Sequence, residues 1–458
     1  MSLIEVARET TALPSESPRT RGAIRIRPRL TLFICWVGWT FVGAGLAEKY
    51  LPLPLPVLWL GLYAPIGLLA ILSARAYVRR PAGGGPLLLV AIAFAVYLCG
   101  TAAAHATSPF GLALRLRDYL KYVVVFFPLA WLCRRPKTAE RVLKIGLGVM
   151  LIQTPLVLFQ YVWESGMMPD DRNGGTFGQW GTGQLMILVA CTICCATALA
   201  WQDPDRRLRW LAVIAWVTPV FILGGAFAGI LFLGVGFLAG AIRVGVKHWS
   251  RRALVWTAVL CVAAIWVGPA QQWIYRNTGQ FGEHLEWGVA AATSEVADSF
   301  GNPGRLFELG QIWREATASG WWLTGRGAGA AAGSLDVRIA GDGPASKGKL
   351  ALITSVNLTL FELGVAGLIV YLLLIGALAV EVRRFRKYYR GGLLYGLYAS
   401  FWGVLAIHLA AGFYLAGWNN TWSSFAPWWL GAILVGCGGH AARHNARLAE
   451  EAAGVPCV

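Results

Sequence analysis

Charge is what this sequence has little of. Only 14% of its 458 residues are Asp, Glu, Lys or Arg, against about 25% in an ordinary soluble domain. A further 57% are hydrophobic, so too little polar surface exists to coat a soluble globule. Acids are scarcer still: 23 against 40 Lys and Arg, a net charge of +17. A disulfide framework is also missing. Of nine cysteines, Cys35, Cys99, Cys191, Cys194, Cys195, Cys261 and Cys437 fall inside apolar runs, and Cys133 and Cys457 sit at a run's end or in a tail. Cys191, Cys194 and Cys195 have helical spacing, but a structural zinc site needs four ligands. No His or further Cys lies near them, and small core residues are the better reading. There is no G-x-x-x-x-G-K-[ST] loop for a nucleotide, no H-E-x-x-H, and no Asp-rich cluster for a divalent metal. Neither a metal nor a cofactor is implied.

What is present is long apolar runs. A spanning helix needs about 20 mostly apolar residues. Runs near 30–47, 53–74, 86–106, 119–133, 142–163, 183–202, 209–224, 226–242, 253–270, 355–380, 393–416 and 423–441 suggest twelve spans. The 209–242 pair reads as a hairpin of two short spans around Gly224 and Gly225. The expected fold is therefore an all-α polytopic membrane protein. Residues 1–29 form a polar, arginine-rich tail without the apolar h-region of a cleavable signal. Spans one to nine fill 30–270, a long loop fills 271–354, spans ten to twelve fill 355–441, and 442–458 form a second tail.

The positive charge sets the orientation. With the N-terminus inside, 28 of the 40 Lys and Arg fall on the cytoplasmic side, and the acids divide 9 inside and 14 outside. The whole basic excess is then positive-inside bias. It argues against nucleic acid as a partner, puts both termini in the cytoplasm, and makes the 271–354 loop exoplasmic. Loops this long in compact structures are functional or disordered. This one contains "RLFELGQIWREATA" (305–318), with Leu306, Leu309, Ile312 and Trp313 on one helical face. That is an amphipathic helix expected to lie on the membrane or cap the bundle. Trp321 and Trp322 follow, suited to the interface.

Three stretches then carry a resemblance. The first is "GRLFELGQIWREATASGWWLTGRGAGA", with Arg305, Trp313 and the turn Trp322-Leu323-Thr324-Gly325-Arg326-Gly327. The second is "NLTLFELGVAGLIVYLLL", with Glu362 and Gly364. The third is "DDRNGGTFGQWGTGQLMILVA", with Gly175-Thr176-Phe177. Their order, and the long loop before the last spans, resemble the O-antigen ligase/polymerase superfamily of GT-C-type membrane glycosyltransferases over roughly residues 112–380. The chain departs from that family at two polar positions. Ala226 and Phe227 stand where an Arg is usual at the hairpin turn. The helix after the loop is preceded by "ITSVN", with Asn357 but no His.

The resemblance implies transfer of an oligosaccharide from a polyprenyl-diphosphate carrier to an acceptor hydroxyl at the periplasmic face of a bacterial inner membrane. It further implies a flippase and a chain-length regulator as partners, beside membrane lipid. The leaving diphosphate needs cations near the membrane surface, and Arg suits it because its fork stays charged and binds phosphate oxygens in pairs. Arg305 is the first candidate, for catalysis and diphosphate contact, against a merely capping or solvated role. Arg172 is another, although Asp170 and Asp171 flank it. Arg115, Arg117 and Lys121 either grip a lipid phosphate or snorkel to the interface, with Asp118 available to pair. Arg326 sits in a glycine-rich turn that could offer N–H groups to an anion. Glu362 is the candidate base, because an ionisable group in a span invites a functional reading. His284 and Asn357, with Trp313 and Trp322, are candidates for glycan or acceptor contact. His105 and His408 read as packing residues. The Trp residues of 417–429 read first as an interface belt, and could also floor a glycan groove. An alternative from another class is a non-catalytic or transport protein for lipid-linked glycan or exopolysaccharide. That alternative expects polar residues inside several spans, or paired broken helices.

Overall fold

The computed structural model describes residues 28–51, 53, 55–79, 84–164, 173–177, 181–223, 228–244, 304–331, 354–389, 392–414 and 425–452. The expected span near 253–270, the turn at Gly224 and Gly225, most of the 271–354 loop, Arg172 and His284 lie outside the described residues, as do most of the 1–29 tail, residues 453–458 and most of the 417–429 stretch.

The described residues contain helices and no strand. Helix α1 (Pro28–Gly38) continues through a π-helical turn (Trp39–Gly43) into α2 (Ala44–Tyr50). Then come α3 (Leu55–Arg79), α4 (Gly85–Ala104), α5 (Pro109–Leu132), α6 (Pro136–Trp163) and α7 (Thr182–Gln202). Next are α8 (Arg207–Val217), α9 (Pro219–Leu223) and α10 (Ala228–Val244). The last four are α11 (Arg305–Ala318), α12 (Ser355–Arg384), α13 (Gly392–Tyr414) and α14 (Ala426–Ala452).

Six of these segments are long and apolar enough to cross a membrane: Pro28–Ala47, Gly85–Ala104, Pro136–Trp163, Thr182–Gln202, Ser355–Arg384 and Gly392–Phe413. The chain is a membrane-embedded all-α protein. The remaining expected spans that are described are also helical. Helix α5 carries Arg115, Arg117, Asp118 and Lys121 in its first half. The 209–224 run divides at Thr218–Pro219, where a proline removes a ladder donor.

The bundle is densest where α7, α10 and α13 meet. A Cβ on Gly403 would lie 2.5 Å from Cys194 Sγ and 2.6 Å from Gly236 O. Glycines here let the helix backbones approach closely, as small residues do between membrane helices. Cys191 and Cys194 are buried and free in this core, and no group of His, Cys, Asp and Glu among the described residues could hold a metal. Helices α5 and α14 join through aromatics: Tyr122 stacks on Phe425 and Trp428 at 6.1 and 6.2 Å.

Three polar residues inside the spans, Gln153, Gln160 and His408, have internal partners. Gln160 donates to Gly175 O (2.9 Å) and accepts from Gly175 N (2.7 Å). Gln153 likewise donates to Thr176 Oγ1 (2.7 Å) and accepts from Thr176 N (3.0 Å). Two glutamines about two turns apart on one face of α6 thus clamp the Gly175-Thr176-Phe177 turn. The Thr176 hydroxyl reaches Phe41 O in the π-helical turn. His408 of α13 bonds Tyr371 of α12 at 3.0 Å.

Candidate functional site

The site is assembled by a helix start and a helix break. Helix α5 begins with Ser108 as its cap, whose Oγ accepts from Gly111 N at 3.0 Å, and with Pro109 at the first helical position. Both are preferred there because the first N–H groups have no partner in the helix. Helix α12 begins with Thr354, whose Oγ1 accepts from Asn357 N at 3.1 Å. Two turns later α12 breaks at Gly364, which has φ 65° and ψ −166°.

The break leaves two helical hydrogen bonds unmade, since Val365 N and Ala366 N would otherwise donate to Phe361 O and Glu362 O. Residues 321–331, the glycine-rich turn, fill the gap. Arg326 N donates to Phe361 O and Gly327 N to Glu362 O, both at 2.9 Å. Val365 N donates to Trp322 O and Ala366 N to Leu323 O, both at 3.0 Å. Tyr97 of α4 also donates to Leu363 O beside the break, at 2.7 Å. Four backbone bonds to the turn thus satisfy groups that would be costly to bury alone. The turn's far side rests on the α4–α5 corner, where Thr107 Oγ1 donates to Ala328 O at 2.8 Å. Gly327 packs so closely there that a Cβ would lie 2.7 Å from His105 Cβ.

Beneath this wedge lie the charges. Glu362 is fully buried; its Oε2 accepts from Arg115 Nε at 2.7 Å and its Oε1 from Ala331 N at 2.8 Å. Arg115 also donates through Nη1 to Asp118 Oδ2 at 3.1 Å. Asp118 Oδ1 in turn accepts from Arg117 Nε at 2.8 Å. Lys121 is buried one turn further along α5. From the start of α5, Arg115 and Lys121 lie about 9 and 18 Å along the axis. Tyr119 and Thr359 exchange a hydroxyl bond at 3.0 Å across the same interface. The cluster holds three cations and two carboxylates, so its formal balance is positive. Arg115 Nη2 is buried with no hydrogen-bond partner among the described residues. Such a donor costs free energy unless something accepts from it.

A second polar contact ties α11 to the start of α12. Asn357 Nδ2 donates to Glu308 Oε2 at 2.7 Å and to Arg305 O at 3.2 Å. The face of α11 packed inward is Glu308, Ile312 and Ala316. Leu306 and Trp313, expected to share the apolar face with Ile312, are 56% and 47% exposed. In this orientation Glu308 accepts from Asn357 of α12.

The candidate residues therefore fall into groups. Arg115, Arg117, Lys121 and Glu362 come together. Arg305 and Asn357 meet at the α11–α12 contact. Arg326 pairs with Glu315 through its side chain and lies 5.1 and 5.2 Å from the Trp321 and Phe361 rings. The turn's N–H groups serve the α12 break and the Glu362 carboxylate, an anion from within the chain. Trp313 and Trp322 are exposed. Glu308, Tyr97 and the Tyr119–Thr359 pair escaped the sequence reading. Glu308 looks like a solvated acid on an amphipathic helix, and its partner Asn357 lies 49 positions away on another helix.

What the arrangement offers chemically is a fixed set of guanidinium and ammonium donors in a low-dielectric place. There they interact more strongly with an anion than they would in water. Glu362 has both oxygens engaged, one with Arg115 and one with Ala331 N. No protein-family model matches the chain, and no curated protein is found to be similar to it.

Proposed function

We propose that the protein is a glycan polymerase or ligase of a bacterial inner membrane. It transfers an oligosaccharide from a polyprenyl diphosphate to an acceptor hydroxyl at the periplasmic face. It uses no metal and acts beside a flippase and a chain-length regulator. In this reading twelve spans cross the membrane, both termini are cytoplasmic, and the wedge and α11 belong to the periplasmic loop. The family is the O-antigen ligase/polymerase superfamily, on the strength of motif order.

The observation that supports the reading best is the cation cluster of α5. Arg115, Arg117 and Lys121 outnumber Asp118 and Glu362, and Arg115 keeps a buried donor to spare. When the hydroxyl attacks the anomeric carbon, the bond to the diphosphate breaks and negative charge grows on the leaving oxygen. Donors held in place before reaction stabilise that charge without reorganising. Arg117 is the member with part of its side chain exposed, at 26%, and is the one a diphosphate would meet first. Arg305 stands on α11, whose backbone Asn357 fixes.

A transport reading draws on one observation, the broken helix α12, since transporters build sites from discontinuous helices. Here the freed groups are paired with the wedge, and the polar residues Gln153, Gln160 and His408 serve internal contacts. The enzyme reading is therefore preferred.

The test is glycan analysis in a strain lacking the gene, complemented with wild type, Arg117→Ala or Arg305→Ala at equal membrane level. Loss of a transition-state donor lowers the rate about 100-fold or more. Single-unit lipid-linked oligosaccharide should then collect outside the membrane with either variant. Accumulation on the cytoplasmic side would instead support transport. Normal product from both variants would remove the cations from the site.

A further inference from the structure

A second site lies at the other end of the bundle, far along the helices from the wedge. Helices α6, α7, α8 and α14 enclose a cavity of about 310 Å³, within the range of about 300–1,000 Å³ typical of ligand sites. One end is charged: Glu140, Lys144, Arg206 and Arg209 line it. Phe41, Phe425 and Trp429 line it further in, with the Trp429 indole against Gly146 of α6. Between them the walls are apolar, with Leu147 and Ala196 on facing helices. From Glu140 to Met150, both lining residues, α6 rises about 15 Å. That is half of a hydrocarbon core of about 30 Å, the thickness of one leaflet.

The rim's charges do not cancel. Lys144 pairs with Glu140 at 3.0 Å. Arg206 approaches Asp203 only to 3.9 Å. Arg209 is exposed and has no ion pair among the described residues. Lys144 is itself 71% exposed and can turn from Glu140 to a second anion. A slot one leaflet deep, apolar along its length and cationic at its mouth, matches one molecule: a lipid with an anionic head and a straight hydrocarbon chain. Basic sites between membrane helices bind such headgroups.

We infer that this groove is a specific site for an anionic diacyl phospholipid of the leaflet at the basic end of the bundle, its phosphodiester held by Arg209, Arg206 and Lys144 and one acyl chain running to Trp429. The inference does not depend on the glycosyl-transfer reading, and its test measures lipid and not glycan.

The full-length protein is purified in mild detergent and mixed with equal phosphatidylglycerol and phosphatidylcholine, and bound lipid is counted by native mass spectrometry. Phosphatidylglycerol should be retained preferentially, at about one per chain. Arg209→Gln should weaken its retention about fivefold, and Arg209→Gln with Lys144→Gln about thirtyfold. Both side chains are on the surface, so these variants keep the fold. Leu147→Trp, which fills the slot and leaves the charges, should abolish retention while the unfolding temperature stays within a few degrees. Equal retention of the two lipids, or no effect of the charge variants, would overturn the site and leave only ordinary lipid contact. Displacement of phosphatidylglycerol by an equal amount of polyprenyl phosphate would overturn the choice of occupant.

Discussion

Single residues decide whether the wedge can dock, and the glycines show this most sharply. Gly364 and Gly325 both have positive φ, 65° and 70°, and each faces the other's backbone. A Cβ on Gly364 would lie 2.4 Å from Leu323 C and O; one on Gly325 would lie 2.3 Å from Glu362 C. Neither contact is with a flexible side chain that could move aside. Gly320 has a similar φ of 77° but nothing within 4 Å. The pair separates two costs that are usually confounded. Gly320→Ala should lose only the left-handed backbone penalty, about 1 kcal/mol. Gly364→Ala adds the collision and the four bonds it forces open, for a loss of roughly 3 kcal/mol or more. Thermal unfolding of the solubilised protein measures both. Equal losses would mean that the wedge contributes little to stability. The same close approach explains Glu362: with the wedge seated, Ala331 N and Arg115 complete its two oxygens. Removing one partner of such a buried pair costs about 3–5 kcal/mol, which makes Arg117 a cleaner probe of function than Arg115.

At the scale of elements, α12 and the segment before it behave as one unit, because neither satisfies its own backbone alone. Helix α11 joins them through Asn357, which touches both Glu308 and the Arg305 carbonyl. Asn357→Ala would leave Glu308 buried without that donor, at a cost of about 1–3 kcal/mol. The expected consequence is local. Amides of α11 should exchange with deuterium about tenfold faster, while those of α7, packed at the centre, stay unchanged. Unchanged exchange in α11 would show that Ile312 and Ala316 suffice to hold it. These contacts also mark what a reader of the sequence could see. Apolar length made α4, α6, α7, α12 and α13 legible, since about 20 apolar residues in a row have few other uses. The start of α11 near Arg305 was legible from its amphipathic period. The break at Gly364 was not: glycine is common in membrane helices, and nothing local marks the one whose partner lies some 40 residues earlier. Arg115 and Glu362 were each visible as charges out of place. That they neutralise one another across 247 positions belongs to tertiary structure, as does the inward turn of Glu308.

For the whole molecule the open quantity is which face is which, and charge asymmetry makes a definite claim. The loops near Arg134, Arg206 and Arg383 are basic and lie at one end of the bundle; α11 and the wedge lie at the other. Positively charged short loops stay in the cytoplasm because moving Lys and Arg across the membrane is opposed. The claim is carried by many residues, so no single substitution should reverse it. Two exposed positions test it: Asp205 at the basic end and Ser319 after α11. In a background with the nine cysteines replaced, Ser319→Cys should react with an impermeant maleimide in spheroplasts. Asp205→Cys should react only after the membrane is opened. The reverse pattern would put the cation cluster of α5 on the cytoplasmic side, where a polyprenyl-diphosphate donor has not yet been translocated, and the transferase reading would fail with it. The lipid groove would survive that result, since it requires only an anionic leaflet at the end where Arg209 stands. The labelling experiment thus separates the two sites: one depends on the sidedness of the membrane, the other on its composition.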